Sequence, residues 1–169
     1  MMENHPDGIM LLLMPTPVNF EIKPASWLDL FAVQEIERIC FQEDAWPLIE
    51  LMGALSWPGI VRLKAGSDHQ IAAFIAGEAR HSEQTGWILT IGVLPAYRRL
   101  GLASLLMQEC EQRMKMPQVK LSVRRSNQSA IQLYEKLGYA RVDVWKNYYR
   151  NGEDGIVMEK KINVSKAQT

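Results

Sequence analysis

No stretch narrows the fold of this chain more than residues 87–123, which read as a strand, a turn, a helix and a second strand. WILTIGVLP (Trp87 to Pro95) is an apolar strand-like run, and YRRLGLA (Tyr97 to Ala103) follows it. LASLLMQECEQRM then puts Leu102, Leu106, Cys110 and Met114 on one helical stripe, with Gln108, Glu111, Gln112 and Lys115 largely on the other side. VKLSV (Val119 to Val123) is the returning strand. A helix between two strands is the crossover that parallel neighbours require. Strict alternation in the first strand points Trp87, Leu89, Ile91 and Val93 one way and Ile88, Thr90, Gly92 and Leu94 the other. Gly92 marks a bulge or a close approach to the backbone.

Around this unit the pattern is antiparallel. VNFEI is a strand ended by Pro24, and Ser26 or Asp29 caps a helix running through Cys40, with Val33, Ile36 and Ile39 at helical spacing. LIELMGALSW is a second helix between Pro47 and Pro58. IVRLKAG and QIAAFIAGEAR pair across the turn GSDHQ, and WILTIGVL completes a meander. SNQSAIQLYEKLGY is a short helix closed by Gly138. Strands around ARVDVW and GIVMEK end the domain, joined by the polar turn NYYRNGED. The expected fold is mixed α/β: a mostly antiparallel sheet with one βαβ crossover, flanked by helices. Residues 18–162 form the domain, 1–17 an N-terminal extension and 163–169 a tail.

Hydrophobic content of 47% and charged content of 22% suit a globular protein of one domain. Lysine plus arginine and aspartate plus glutamate number 19 each, so no basic excess points to nucleic acid. Cys40 and Cys110 lack partner histidines at metal spacing and read as buried thiols of a reducing cytoplasm, and no metal is expected. IMLLLM (Ile9 to Met14) is too short for a membrane span and lacks a basic flank for a signal peptide. It packs either on the domain or on another subunit. His5, His69 and His81 fall in tails or turns.

The YRRLGLA turn has the parts of an anion site. The first N–H groups of a helix have no intrahelical acceptor and carry partial positive charge. Gly101 removes a side chain in front of them, and Arg98 and Arg99 add charge beside them. The lysine–serine/threonine pair of a nucleotide-hydrolysing P-loop is absent.

RRLGLA, placed after a strand and opening a helix, resembles the acetyl-CoA signature of the Gcn5-related N-acetyltransferases. VRRSNQSAIQLYEKLGY resembles that superfamily's second signature. LSWP, ILTIGVLPAYRRLGLA, VRRSN, AIQLYEKLGY and KNYYRNGED are most similar to its protein Nα-acetyltransferases and ribosomal-protein alanine acetyltransferases. The resemblance spans Phe20 to Lys160 and implies an enzyme that uses acetyl-CoA between two splayed parallel strands. It implies backbone contacts to the coenzyme at Ile91, Gly92 and Val93, and a pyrophosphate site at Arg98, Arg99, Leu100, Gly101, Leu102, Ala103 and Ser104. Asn127 also falls on the coenzyme and caps a helix as well. Tyr134 matches the tyrosine that protonates the leaving thiolate, although its spacing also suits a core position. Tyr148 and Tyr149 resemble the pair that closes over a bound peptide N-terminus, with Phe41 and Glu43 on the opposite wall. The implied setting is cytoplasmic, with no membrane or nucleic acid and with an auxiliary subunit or homo-oligomer as further partners.

The pattern breaks at the general base. Similar enzymes carry glutamate or histidine where LSVR has Ser122, and another branch uses tyrosine where Trp87 stands. Ser122 is then a water anchor, Glu43 a candidate base and Glu78 a positional second candidate. The expected oxyanion donors are backbone N–H groups near a bulge around Val93. An α-amine needs less help than a lysine: at neutral pH about a tenth of α-amines are neutral, against fewer than about one lysine in a thousand. The leading reading is a protein Nα-acetyltransferase. Transfer to lysine or a small amine, and coenzyme A binding without turnover, stay open.

Overall fold

The computed structural model describes residues 20–67 and 70–162. The described strands are β1 (Glu21–Pro24), β2 (Ile60–Ser67), β3 (Gln70–Arg80), β4 (Thr85–Val93), β5 (Gln118–Arg124), β6 (Ala140–Trp145) and β7 (Gly155–Lys161). The described α-helices are α1 (Leu30–Phe41), α2 (Leu48–Ser56), α3 (Leu102–Met114) and α4 (Gln128–Lys136). The strands form one sheet in the order β1-β2-β3-β4-β5-β7-β6. Its neighbours are antiparallel except β4 and β5, which α3 joins as the expected crossover. Val18, Asn19, the extension, the tail and His69 lie outside the described residues.

Each face of the sheet buries its own apolar cluster. Leu106, Met107 and Cys110 of α3 and Ile131 of α4 pack on Leu63, Ile75, Leu121 and Met158. On the other face Val33 and Ile36 of α1 and Leu51 and Leu55 of α2 cover Phe74 and Ala76. Burying aliphatic side chains of this size contributes roughly 1.5–3 kcal/mol each, which fixes both helix layers to the sheet. Helix α1 starts where its residues dictate. A 3-10 turn at Trp27–Asp29 precedes it, and the Ser26 N–H donates to Asp29 Oδ2 at 2.9 Å. Lys64 Nζ holds the other Asp29 oxygen at 2.6 Å, tying this start to β2.

Two sequence expectations are corrected here. Strict alternation in β4 fails because Leu89 is an extra residue: Thr90 pairs with Ala76 while Ile88 pairs with Gly77. A bulge sets two successive residues against one partner. Leu89 and Thr90 therefore both turn toward α1, while Ile88, Ile91 and Val93 pack on the α3 side. Glu111 is not on a solvated face either. It is buried, accepting from Tyr139 Oη at 2.8 Å and from Lys160 Nζ at 2.6 Å. A helical wheel could not register those partners, because they come from the far end of the chain.

Candidate active site

The parallel pair sets the site. β4 and β5 are in register only from Thr85–Trp87 against Gln118–Lys120, yet β4 runs on to Val93 and β5 to Arg124. Beyond Trp87 the two strands part. The Leu94 N–H bonds to Ala72 O at 2.9 Å. By the two-residue alternation of an antiparallel ladder, the N–H and C=O groups of Ile91 and Val93 face away from β3, into the gap that β5 leaves. One of these groups is engaged: Val93 O accepts from Arg98 Nε at 3.1 Å and from Cys40 Sγ at 3.4 Å.

A cleft of about 480 Å³ opens at this gap. It is lined by Ile91, Gly92 and Val93, by Arg98, Arg99 and Gly101 to Ser104, by Asn127, and by Ala130, Leu133 and Tyr134 of α4. The expected coenzyme residues thus meet in one place, except Leu100, which is exposed and does not line the cleft. Cys40 and Phe41 close its α1 side, so Phe41 stands nearer the coenzyme residues than the sequence reading put it. A larger hollow of about 690 Å³ lies between α4 and the edge strand β6. Its cations are already paired, Arg125 and Lys146 with Asp154 and Arg141 with Glu135.

The turn before α3 fits a pyrophosphate. Leu105 N makes the first bond back, to Gly101 O at 3.1 Å, so the N–H groups of Leu102, Ala103 and Ser104 have no intrahelical acceptor. Gly101 has φ +81°, while a Cβ built there would meet nothing within 4 Å. A glycine suits this left-handed backbone, and the space in front of the helix start is open. Asn127 Oδ1 caps α4, accepting from Ala130 N at 3.2 Å and Ser129 Oγ at 3.1 Å. Its Nδ2 makes no hydrogen bond among the described residues, and Asn127 lines the cleft.

Tyr134 is 7% exposed, and its hydroxyl makes no hydrogen bond among the described residues. Burial, with the neighbouring Tyr149 hydroxyl, pushes its pKa well above the ordinary tyrosine value, so it stays a proton donor. Cys40 and Cys110 are also pushed up by burial, Cys110 to about 12, which leaves both as neutral thiols.

The residues expected on the acceptor side lie on β5 and two loops. Ser122, at the expected base position, lies beside the hydroxyl of Tyr149, whose pKa burial pushes up to about 12. The Arg124 guanidinium lies 4.2 Å from the centre of the Tyr149 ring. Its Nε donates to Asp44 Oδ2 at 2.7 Å, with a second contact from Nη2, and its Nη1 bonds Asn151 Oδ1 at 3.0 Å and Glu153 Oε2 at 2.6 Å. Tyr148 is 51% exposed and packs on Trp145, which stacks on Trp87 at 5.7 Å. Trp87 Nε1 is buried without an acceptor among the described residues. Glu43 is exposed beside Asp44 and outside the cleft; Glu78 is paired with Arg80 at 2.7 Å and also outside it.

Sequence reasoning passed over Arg124, Asp44 and the buried Glu37. Thr90 donates to Glu37 Oε1 at 2.5 Å, and Trp46 N to Oε2 at 3.3 Å. Glu37 was detectable, since Val33, Ile36 and Glu37 share one helical stripe. Arg124 was not, because its partners are a loop 80 residues upstream and a turn 29 residues downstream. Among the described residues no cluster of His, Cys, Asp and Glu could hold a metal, and no helix is long and apolar enough to cross a membrane.

Splayed parallel strands, an anion turn at the crossover helix and a buried tyrosine beside them define an N-acetyltransferase, and the chain belongs to the acetyltransferase (GNAT) family, whose model matches residues 26–139. Within it the chain groups with the Nα-acetyltransferases and uses acetyl-CoA. It is 34% identical over 148 residues to the N-terminal acetyltransferase A complex catalytic subunit of Arabidopsis thaliana, covering 83% of this chain and 77% of that protein. To the N-alpha-acetyltransferase of Saccharolobus solfataricus it is 29% identical over 156 residues, 84% and 93% of the two chains. The solved ribosomal-protein alanine N-acetyltransferase of Escherichia coli superposes with a TM-score of 0.79 at 25% identity, over 89% of this chain and 99% of that one.

Proposed function

We propose that this enzyme moves the acetyl group of acetyl-CoA onto the α-amine of a protein or peptide N-terminus in the cytoplasm. The observation that carries the reading is the neighbourhood of Tyr134: it lines the cleft at the β4–β5 gap, and beside it Tyr149 lies against Arg124, which is bonded to Asp44 of the α1–α2 loop. On this reading the acceptor groove runs between Tyr148–Tyr149 and that loop.

Acetyl-CoA supplies the activated acetyl group. The chain's residues bind and orient it: Ile91 through both backbone groups, Val93 through its N–H, the Leu102–Ser104 amides and Arg99 at the pyrophosphate, and Asn127 through Nδ2. Tyr134 keeps its proton at Oη, ready for the departing thiolate. Among the described residues no carboxylate or histidine lines the cleft. Neither Ser122 nor Trp87 is a base at neutral pH, so the amine arrives already neutral and releases its proton to water. α-Amines meet that condition far more often than lysines.

The test is a mixture of peptides with free N-termini and internal lysines, incubated with acetyl-CoA and analysed by mass spectrometry. Acetyl groups on first residues support the reading. Acetyl groups on lysine alone, or none in a sample that binds the coenzyme, overturn it.

A further inference from the structure

Arg124 stands at the C-terminal end of β5, where two other segments converge, and it is bonded to both. The α1–α2 loop comes through Asp44 and the β6–β7 hairpin through Asn151 and Glu153, while the ring of Tyr149 lies against the guanidinium. The side chains are only 24%, 17% and 21% exposed for Arg124, Asp44 and Glu153. Pairs this sheltered are far less screened than surface ion pairs.

We propose that Arg124 is the positioning residue of the acceptor groove: it fixes the two walls at one separation and so sets affinity for the peptide N-terminus. This rests on the acceptor reading above. The hairpin is also tied to this end of β5 by the Arg124–Gly155 pairing with β7 and by Arg125 N–H to Asp154 O at 3.2 Å, whereas among the described residues the α1–α2 loop has no hydrogen bond to β5 except through Arg124. The α1–α2 loop is otherwise held by the Glu37–Trp46 bond, which ties it to its own helix. In the hairpin, Tyr149 N–H bonds Glu153 O at 3.1 Å, within the turn itself. The ring face of Tyr149 is supported by the guanidinium, and its hydroxyl lies beside Ser122 of the same strand, so that side chain is placed against β5 along its length.

Glu153 extends the same frame toward the coenzyme. One of its oxygens takes Arg124, and the other accepts from Ser126 N at 2.7 Å, directly before the α4 cap Asn127. The planar fork of arginine serves Asp44 and Glu153 at once while presenting a flat face to the ring. A lysine ammonium offers neither the fork nor the face.

The test compares wild type with Arg124→Lys, Arg124→Met and Asp44→Asn, reading KM for an acceptor peptide, kcat, acetyl-CoA affinity and melting temperature. In all three variants KM is expected to rise about tenfold or more, with kcat and acetyl-CoA affinity within about threefold, the signature of lost uniform binding. Unchanged KM in soluble variants overturns the proposal. So does a parallel fall of kcat, both affinities and melting temperature, which a merely structural role would produce. Should the Arg124 variants not fold, Asp44→Asn decides by the same split, because it leaves the Arg124–Glu153 pair in place. A wild type that acetylates no peptide sinks the acceptor reading and this inference together; an active wild type with variants of unchanged KM sinks the inference alone.

Discussion

Gly92 of β4 lies so close under Ile36 of α1 that a Cβ at position 92 would stand 2.7 Å from Ile36 Cγ2. Cys40 Sγ would follow at 3.4 Å. The contact sets how near α1 approaches the sheet, and α1 carries Cys40 and Phe41 to the cleft. Gly92→Ala should cost about 1–3 kcal/mol by overpacking, lowering the melting temperature by roughly 2–10 °C. A thermal melt checks it; an unchanged midpoint would mean that α1 shifts freely.

Tyr134→Phe removes one hydroxyl from a packed ring. On the proposed role, kcat should fall on the order of 10²-fold or more, while acetyl-CoA affinity stays near wild type. Steady-state kinetics with calorimetric coenzyme binding separates the two. A variant with full kcat would return Tyr134 to a purely packing role.

Glu37 makes stability depend on pH. Burial raises its folded pKa above the ordinary 4.5, against the opposing bonds from Thr90 and Trp46. A raised folded pKa means that its contribution is fully present below pH 4.5 and is lost as pH rises through the folded value. Glu37→Gln keeps a polar partner for Thr90 without a charge. The melting temperature of wild type relative to this variant should therefore fall as pH rises from 4.5 into the neutral range. A constant difference across that range would contradict the shift.

Gly101→Ala tests the anion turn. At φ +81° an alanine is strained by roughly 1–2 kcal/mol, and relief requires turning the α3 amides out of line. Acetyl-CoA affinity should drop about tenfold, the equivalent of 1.4 kcal/mol, with a smaller effect on peptide KM. Equal losses for both substrates would place the damage elsewhere.

The residues expected at the coenzyme meet in one cleft because the signal that groups them is local. Gly101, the arginines beside it and the helix they precede follow one another in the chain, and the β4–α3–β5 order fixes where they lie. Asn127 and Tyr134 are seven residues apart on one short helix, so a motif captures both. The acceptor half depends on distant pairs. Asp44 reaches Arg124 across 80 residues, and Glu111 is buried by Tyr139 and Lys160. Charged residues in such pairs look in sequence like any solvated face. The Leu89 bulge was hidden for a different reason: an extra residue in an apolar strand changes no residue type and shows only against the register of β3.

The parting of β4 from β5 divides recognition into two kinds. Where the strands separate, what is offered to the coenzyme arm on the proposed reading is peptide backbone, and the side chains of Ile91 and Val93 face the α3 cluster instead. On the same reading the acceptor side is framed by side chains, from Trp87 through Tyr149 to Arg124. Substitutions there would retune the choice of acceptor without touching the grip on the acetyl donor. A scaffold arranged this way can change customers while keeping its supplier.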